Sequence, residues 1–466
     1  MLFNSFSFVG LVITTMFFYY IPRLSKYQIT ILIISSLLFY SWNSVSLVFL
    51  LLISAAVNIL TSYFIGNRKK QAKLIACIGV SSNLLILAFF KYAGLISLTF
   101  FEESSITNFL ITIPLPIGIS FFTFQGISLV VDVYKENHFN NNEIESKSLL
   151  EHAKKTLFYI SFFPQLVAGP IVKAHEFLPQ IEQKKFKRIN WEKSFREIVL
   201  GYFFKIVIAD NLKDLTFWIA YPYFQGQDTY SLITMLFGYS CQIFADFAGY
   251  SLIAIGTSRL FGYNFKDNFN FPYISSSFKE FWKRWHISLS SFLQEYLYIP
   301  LGGNKKGKVR TYINLMITMI LGGIWHGAAW SYSVWGAFHG LALAIERFFT
   351  RKTQKEQPLI IQIIKTFFVF SMVSFAWLLF KLPNFNHVIE YLNSILVNNN
   401  MKANIGLISS LIVYSTPIIL YHLYFSFTSK YKSKTLHKFK FVFYSILIFL
   451  ILTNRGIPGS FIYFQF

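Results

Sequence analysis

The chain has 466 residues, 54% of them hydrophobic and only 14% charged, and 20% are aromatic. Ordinary globular domains carry about 25% charged residues, and a water-soluble chain of this size could not hide so much apolar surface, so lipid is the solvent for most of it. The net charge is +21, from 42 Lys and Arg against 21 Asp and Glu; the basic residues cluster between apolar spans, as the positive-inside rule expects, and none forms the polar, aromatic-flanked patch that nucleic-acid binding requires.

In chain order, apolar windows long enough to cross a bilayer, about 20 residues each, fall near 3 to 21, 28 to 44, 45 to 65, 72 to 93, 115 to 133, 195 to 219, 231 to 262, 311 to 329, 331 to 349, 360 to 380, 404 to 424 and 440 to 454. They predict an all-α polytopic membrane protein with about twelve crossings. The first window has no basic stretch before it and no small-residue cleavage site after it, so it reads as a retained span and not a signal peptide. Basic loops set the orientation: Arg68 to Lys73, Lys184 to Arg188, Lys305 to Arg310, Arg347 with Arg351, Lys352 and Lys355, and Lys430 to Lys440 are expected in the cytoplasm. Loops 94 to 113, with Glu102 and Glu103, and 220 to 230, with Asp228, hold no Lys or Arg and are expected outside, as are both termini.

Two stretches depart from simple crossing. Residues 156 to 172 are apolar but lie between basic loops, Lys154 and Lys155 on one side and Lys173 onward on the other. Pro164, Gly169 and Pro170 let a helix break and return on the same face, so a re-entrant segment is expected. Residues Asn264 to Arg310 are rich in both aromatics and charge and read as short helices at the cytoplasmic face. Without a linker or a convincing repeat, residues 1–466 read as a single membrane domain, with its core motifs in 115–350. Cys77 and Cys241 sit within apolar stretches away from any His cluster, so neither a disulfide nor a metal site is expected.

The densest unusual sequence is FKEFWKRWHISLSSFLQEYLYIPLGGN, Phe278 to Asn304, which gathers Glu280, Lys283, Arg284 and His286 beside Trp282 and Trp285. It reads either as a polar site at a cavity mouth or as an interfacial belt of Trp and basic residues. The second is LGGIWHGAAWSYSVWGAFHGLALAIE, Leu321 to Glu346, where His326 follows Trp325 inside an apolar span. An ionisable residue at that depth is a functional candidate by default, and burial favours the neutral imidazole that accepts a proton. The alternative is a core His satisfied by a neighbouring helix. Gly322, Gly323 and Gly327 leave room for a substrate or another backbone.

On a continuous helix His339 lies roughly 140° round from His326, which predicts a structural or supporting role. Asp246 and Arg259 also fall inside a predicted span; the acid could orient a histidine, though pairing with a cation is the simpler role. No His stands before Asp at the soluble glycerolipid-acyltransferase spacing, and there is no HExxH pair. The near P-loop at 302 to 309 has Val309 where a Ser or Thr must reach magnesium.

Taken together, five stretches resemble the membrane-bound O-acyltransferase family, in its bacterial branch of alginate and peptidoglycan O-acetylation membrane proteins. They are IGISFFTFQGISLVVDVY from Ile117, FFPQLVAGPIVKAHEFLPQI from Phe162, Gln242 to Gly256, Glu280 to Asn304 and Asn314 to Glu346. The resemblance spans most of residues 1 to 350 and fades over helices 360 to 454. It implies a ring of helices around a thin centre and a cytoplasmic funnel for the acyl donor. It also implies that His326, of the WHG sequence, is catalytic and that His286, of RWH, is the second important residue. Leu252 stands where the family pattern often has an acid, and Gln294-Glu295-Tyr296 replaces its usual RDY.

The expected chemistry is transfer of an acetyl group from cytoplasmic acetyl-CoA, a substrate and not a bound cofactor, to an acceptor across the inner membrane of a bacterium, for O-acetylation of an envelope polysaccharide. His326 serves as general base, and His286 orients a reactant or assists proton transfer. Trp282, Lys283, Arg284, Trp285, Trp325, Asp246 and Asn304 are candidates for holding substrate, with the donor's phosphates near the cationic face. By resemblance, the partner is an extracytoplasmic acetyltransferase of the SGNH-hydrolase type. A transporter or flippase for an envelope precursor is the rival reading, although residues 1 to 230 do not pair with 231 to 466 as transporter halves do; a non-catalytic scaffold is a third.

Overall fold

A backbone immersed in lipid must satisfy its own hydrogen bonds, which leaves helices as the solution for a chain with these long apolar runs. A computed structural model describes residues 1–42, 44–102, 104–135, 148–167, 169–349, 358–430, 440–459 and 461–462, and among them there is no strand. Among the described residues, six helical stretches are long and apolar enough to cross a membrane: Pro22–Ser41, Ser46–Asn67, Lys69–Phe100, Thr229–Leu260, Leu359–Lys381 and Ile405–Ser426. Phe6–Tyr20 and Lys440–Thr453 are shorter apolar helices. Glu103 and the basic residues expected at 351–355 and 431–439 lie outside the described residues.

The chain divides into two compact units, Met1–Ile198 with Ser251–Lys266, and Val199–Tyr250 with Asp267–Phe466. The first carries polar groups inside and apolar ones outside, as lipid requires: Asn58 and Ser62 are 0% exposed whereas Leu85 is 69% exposed. Asn58 and Asn83 exchange side-chain amide hydrogen bonds of 3.1 and 2.9 Å, the kind of interhelical bond that replaces the hydrophobic effect in a bilayer. Arg259, expected to need a partner, has one in this unit: Glu197 accepts from its Nε at 2.9 Å and from Nη2 at 3.0 Å.

The apolar stretch 156 to 172 is broken here. Helix Leu149–Ser161 stops, four residues turn again over Phe163–Leu166 with Pro164 at the start, and irregular backbone follows. Side chains satisfy the freed groups. Gln125 donates to the Tyr159 carbonyl at 2.9 Å, the Tyr159 hydroxyl to the Val172 carbonyl at 2.9 Å, the Phe163 N–H to Ser36 Oγ at 3.1 Å, and the Ala174 N–H to Ser128 Oγ at 2.8 Å. The break is therefore buried in protein, the condition under which irregular backbone is tolerated at membrane depth.

The second unit is organised by two helices, Lys308–His326 and Trp330–Phe349. Glycines let their backbones touch. A Cβ at Gly323 would strike the Tyr332 carbonyl oxygen, and one at Gly336 would strike that of Met319. Of the two uses foreseen for the glycines, Gly323 serves the approach of another backbone. Gly336→Val is expected to force the helices apart and cost at least the roughly 1–3 kcal/mol of ordinary overpacking. Gly66→Ala, whose added Cβ meets nothing within 4 Å, is expected to leave stability unchanged or raise it by up to about 1 kcal/mol. Thermal unfolding in detergent distinguishes the two.

Residues 267–307 form only short pieces: Pro272–Ile274, Phe278–Arg284, Ile287–Leu293 and the π-helical Gln294–Tyr298. None is long enough to cross a bilayer.

Candidate functional site

His286 separates two seven-residue helices and takes a left-handed conformation, φ +44°. For a residue with a Cβ that conformation is costly and persists only where its surroundings over-determine it. Here Asn268 does so. Its backbone carbonyl accepts the Ile287 N–H at 2.9 Å, and its Oδ1 accepts the Ser288 N–H at 3.1 Å and the Ser288 hydroxyl at 2.9 Å.

That same oxygen lies 3.2 Å from His286 Nδ1. A backbone N–H can only donate, so the Asn268 atom facing Ser288 is the acceptor, and His286 Nδ1 must carry the proton it donates. The neutral imidazole then has its lone pair on Nε2. His286 and Asn268 are both buried, and Phe247 stands edge-on to the imidazole at 4.6 Å between centroids. Asn268→Leu is expected to release the ring and lower any turnover that depends on it about tenfold or more, equivalent to losing a hydrogen bond worth roughly 1.4 kcal/mol or more. Steady-state rates at saturating substrate measure this.

His326 is the last residue of helix Lys308–His326, and Gly327 beyond it is extended. Its ring is enclosed by Trp325, Trp335 and Phe380, at 5.1, 5.2 and 5.1 Å between centroids. The His286 and His326 rings lie 6.3 Å apart, centre to centre. The two histidines singled out in the sequence thus converge in one buried aromatic cluster.

His339 joins them from an unexpected direction. The 140° argument requires one helix, but the chain breaks between His326 and Trp330, and both rings end up on Trp335: His326 at 5.2 Å and His339 at 4.6 Å. His339 is 0% exposed, its ring is parallel to Phe281 within 8°, and among the described residues neither of its nitrogens has a hydrogen-bond partner. His339→Phe keeps that packing and removes the orphaned polar atoms. Its thermal unfolding temperature in detergent is expected to match or exceed the parent's, because replacing unsatisfied buried polar atoms by an apolar isostere is neutral or stabilising.

The remaining candidates separate into three groups. Trp285 and Trp325 are buried, and Trp282 packs at 5.2 Å on His339 and 5.7 Å on Trp335. Lys283 is exposed, as are Lys305, Lys306, Lys308 and Arg310. Arg284 donates from Nε to Glu280 at 3.0 Å and from Nη1 to the Asn270 carbonyl at 3.0 Å, while Asn304 is exposed and accepts the Tyr298 hydroxyl. Asp246 pairs with a buried cation: its Oδ1 is 2.7 Å from Lys205 Nζ, and its Oδ2 accepts the Ile462 N–H at 2.7 Å.

Sequence reasoning missed Asn268, Phe247, Trp335, Phe380 and Lys205. Of these only Lys205, a charge inside an apolar window, carried a visible signal.

The cluster sets two imidazoles 6.3 Å apart among aromatic rings, with exposed cations elsewhere in the same unit. That arrangement suits removal of a proton from a hydroxyl in a site shielded from water.

Comparison with known proteins gives the same direction. The model of MBOAT, the membrane-bound O-acyltransferase family, matches residues 29–382, a range that includes all three histidines. The chain is 36% identical over 400 residues to a probable alginate O-acetylase of Pseudomonas putida, covering 82% of this chain and 78% of that protein. It is 34% identical over 400 residues to a peptidoglycan O-acetyltransferase of Helicobacter pylori, covering 80% and 74%. Similarity extends at 26% over 386 residues to a teichoic acid D-alanyltransferase of Bacillus subtilis, covering 78% and 92%.

Proposed function

Because the chain belongs to the membrane-bound O-acyltransferase family, and is accordingly a multi-pass membrane acyltransferase, we propose that it takes an acetyl group from cytoplasmic acetyl-CoA and delivers it outward for O-acetylation of an envelope polysaccharide. The observation that carries the mechanism is the 6.3 Å approach of His286 and His326 inside a buried aromatic cluster. His326 accepts the proton of an acceptor hydroxyl. The freed oxygen attacks the thioester carbonyl, the tetrahedral intermediate collapses with cleavage of the C–S bond, and the departing thiolate takes the proton back from the imidazolium.

In this reading His286 orients a reactant through Nε2, the nitrogen on which the Asn268 contact places the lone pair. Trp282, Trp285 and Trp325 exclude water. Lys283, Arg284 and the basic residues of 305–310 draw the donor's phosphates, and Asn304 immediately precedes them. The polysaccharide class follows the names of the relatives, one an alginate O-acetylase and one a peptidoglycan O-acetyltransferase. About twelve crossings and a re-entrant segment over 156 to 172 belong to this reading, with the donor reaching His326 from the cytoplasm and the acceptor from the opposite side. The acceptor is then a partner protein outside the membrane, an SGNH-type acetyltransferase, in the inner membrane setting of a bacterium.

The test is direct. Purified protein in lipid nanodiscs with radiolabelled acetyl-CoA and a hydroxyl acceptor should release CoA and yield an acetyl ester. Absence of transfer from acetyl-CoA, with transfer from another acyl thioester, would replace the donor. Absence of transfer from any thioester would remove the mechanism.

A further inference from the structure

One buried ionic cluster in the second unit has no part in the chemistry above. Lys205 Nζ lies 2.7 Å from Asp210 Oδ1 and 2.7 Å from Asp246 Oδ1, with all three side chains no more than 5% exposed. On an ideal α-helix residues five apart are roughly 140° apart around the axis and do not meet. They meet here because Phe203–Ala209 is π-helical, and the wider i→i+5 turn brings Lys205 and Asp210 to one side; such turns occur often at functional sites.

Residues 454–459 and 461–462, which follow helix Lys440–Thr453, are laid against this cluster. The Asn211 amide donates to the Asn454 carbonyl at 3.3 Å, and the Gly456 N–H donates to the Ile206 carbonyl at 3.2 Å. A Cβ at Gly456 would lie 2.5 Å from the Asn211 nitrogen, so the backbone presses directly on the turn. At the far end the Ile462 N–H donates to Asp246 Oδ2 at 2.7 Å. Phe461, fully buried, packs at a tilt on Tyr250, 4.4 Å between centroids, and on Phe247, 5.6 Å between centroids. Phe247 is the ring that stands edge-on to His286 at 4.6 Å.

We propose that Lys205, Asp210 and Asp246 form a positioning cluster: they seat this segment so that Phe461 holds Phe247 against His286 and fixes the imidazole for acyl transfer. None of the three touches the reacting atoms. Lys205 holds the two carboxylates, Asp246 spends its second oxygen on the Ile462 N–H, and the ring chain Phe461–Phe247–His286 carries the placement inward. The inference rests on the role given to His286 above.

Two substitutions at one position separate seating from charge. Asp246→Leu removes the acceptor for the Ile462 N–H, whereas Asp246→Asn keeps an oxygen there. In nanodiscs, Asp246→Leu should speed hydrogen exchange of the peptide holding 454–462 and lower kcat at least tenfold with the KM for acetyl-CoA unchanged. Asp246→Asn should restore slow exchange and recover most of the kcat. Phe461→Ala should reproduce the kcat loss with Lys205, Asp210 and Asp246 intact.

Equal losses in the Leu and Asn variants, or a Phe461→Ala variant with full kcat, would overturn the proposal. So would fast exchange without loss of turnover. The exchange measurement needs no substrate, so a failed seating is distinguishable from a wrong choice of donor.

Discussion

His326→Ala is expected to lower acetyl transfer about 10²–10⁴-fold, the range one positioned general base supplies. A thioester is already activated, so the enzyme's main task is to relieve the attacking oxygen of its proton at the moment of bond formation. The loss should fall on kcat and kcat/KM alike, since the proton transfer is made only in the transition state. His286→Ala should cost less, because its ring orients rather than accepts. The double variant should fall short of the product of the two losses, as for residues acting as a unit. Removing the ring from between Trp325, Trp335 and Phe380 opens a cavity, so unfolding temperature and retention on size exclusion accompany the kinetics. A folded His326→Ala protein with parental kcat would end the assignment.

How far the site could be read from the sequence follows from what each residue contrasts with. His326 stands out because an imidazole in an apolar span is costly to leave there without purpose. His286 stands out through the company of Trp and basic residues around it. Their meeting was not legible, since it depends on a left-handed turn at His286 itself, a conformation uncommon outside glycine. His339 was misplaced for the same kind of reason. Helical phase was carried across Gly327 and Ala329, where the helix has already ended.

The fold shows the same division. Apolar length gives the long helices at 46–67, 72–100, 229–260 and 405–430 almost directly, because lipid leaves the backbone no alternative. Window 195 to 219 was harder. It divides into Trp191–Tyr202, the π-helical Phe203–Ala209, Asp210–Leu215 and Thr216–Ile219. Hydropathy averages over such a break, while the charges inside it, Lys205 and Asp210, pair only because the break exists. Asn268 gave no signal at all: an Asn in an irregular stretch is ordinary turn chemistry until the residues it faces are known.

Lys205→Met is expected to be among the most destabilising single changes in the second unit, by about 3–5 kcal/mol, because it leaves two carboxylates buried without their cation. The cost belongs to the stranded charges and not to the lost attraction, since burying three ions is itself expensive. The triple variant Lys205→Met, Asp210→Leu, Asp246→Leu removes every charge and should recover most of the unfolding temperature. It should not recover kcat, because Ile462 still lacks an acceptor for its N–H. If the cluster served stability alone, temperature and turnover would return together in the triple variant. If it positions His286, temperature returns and turnover does not. Thermal unfolding in detergent and acetyl transfer in nanodiscs, measured on the same preparations, decide between the two.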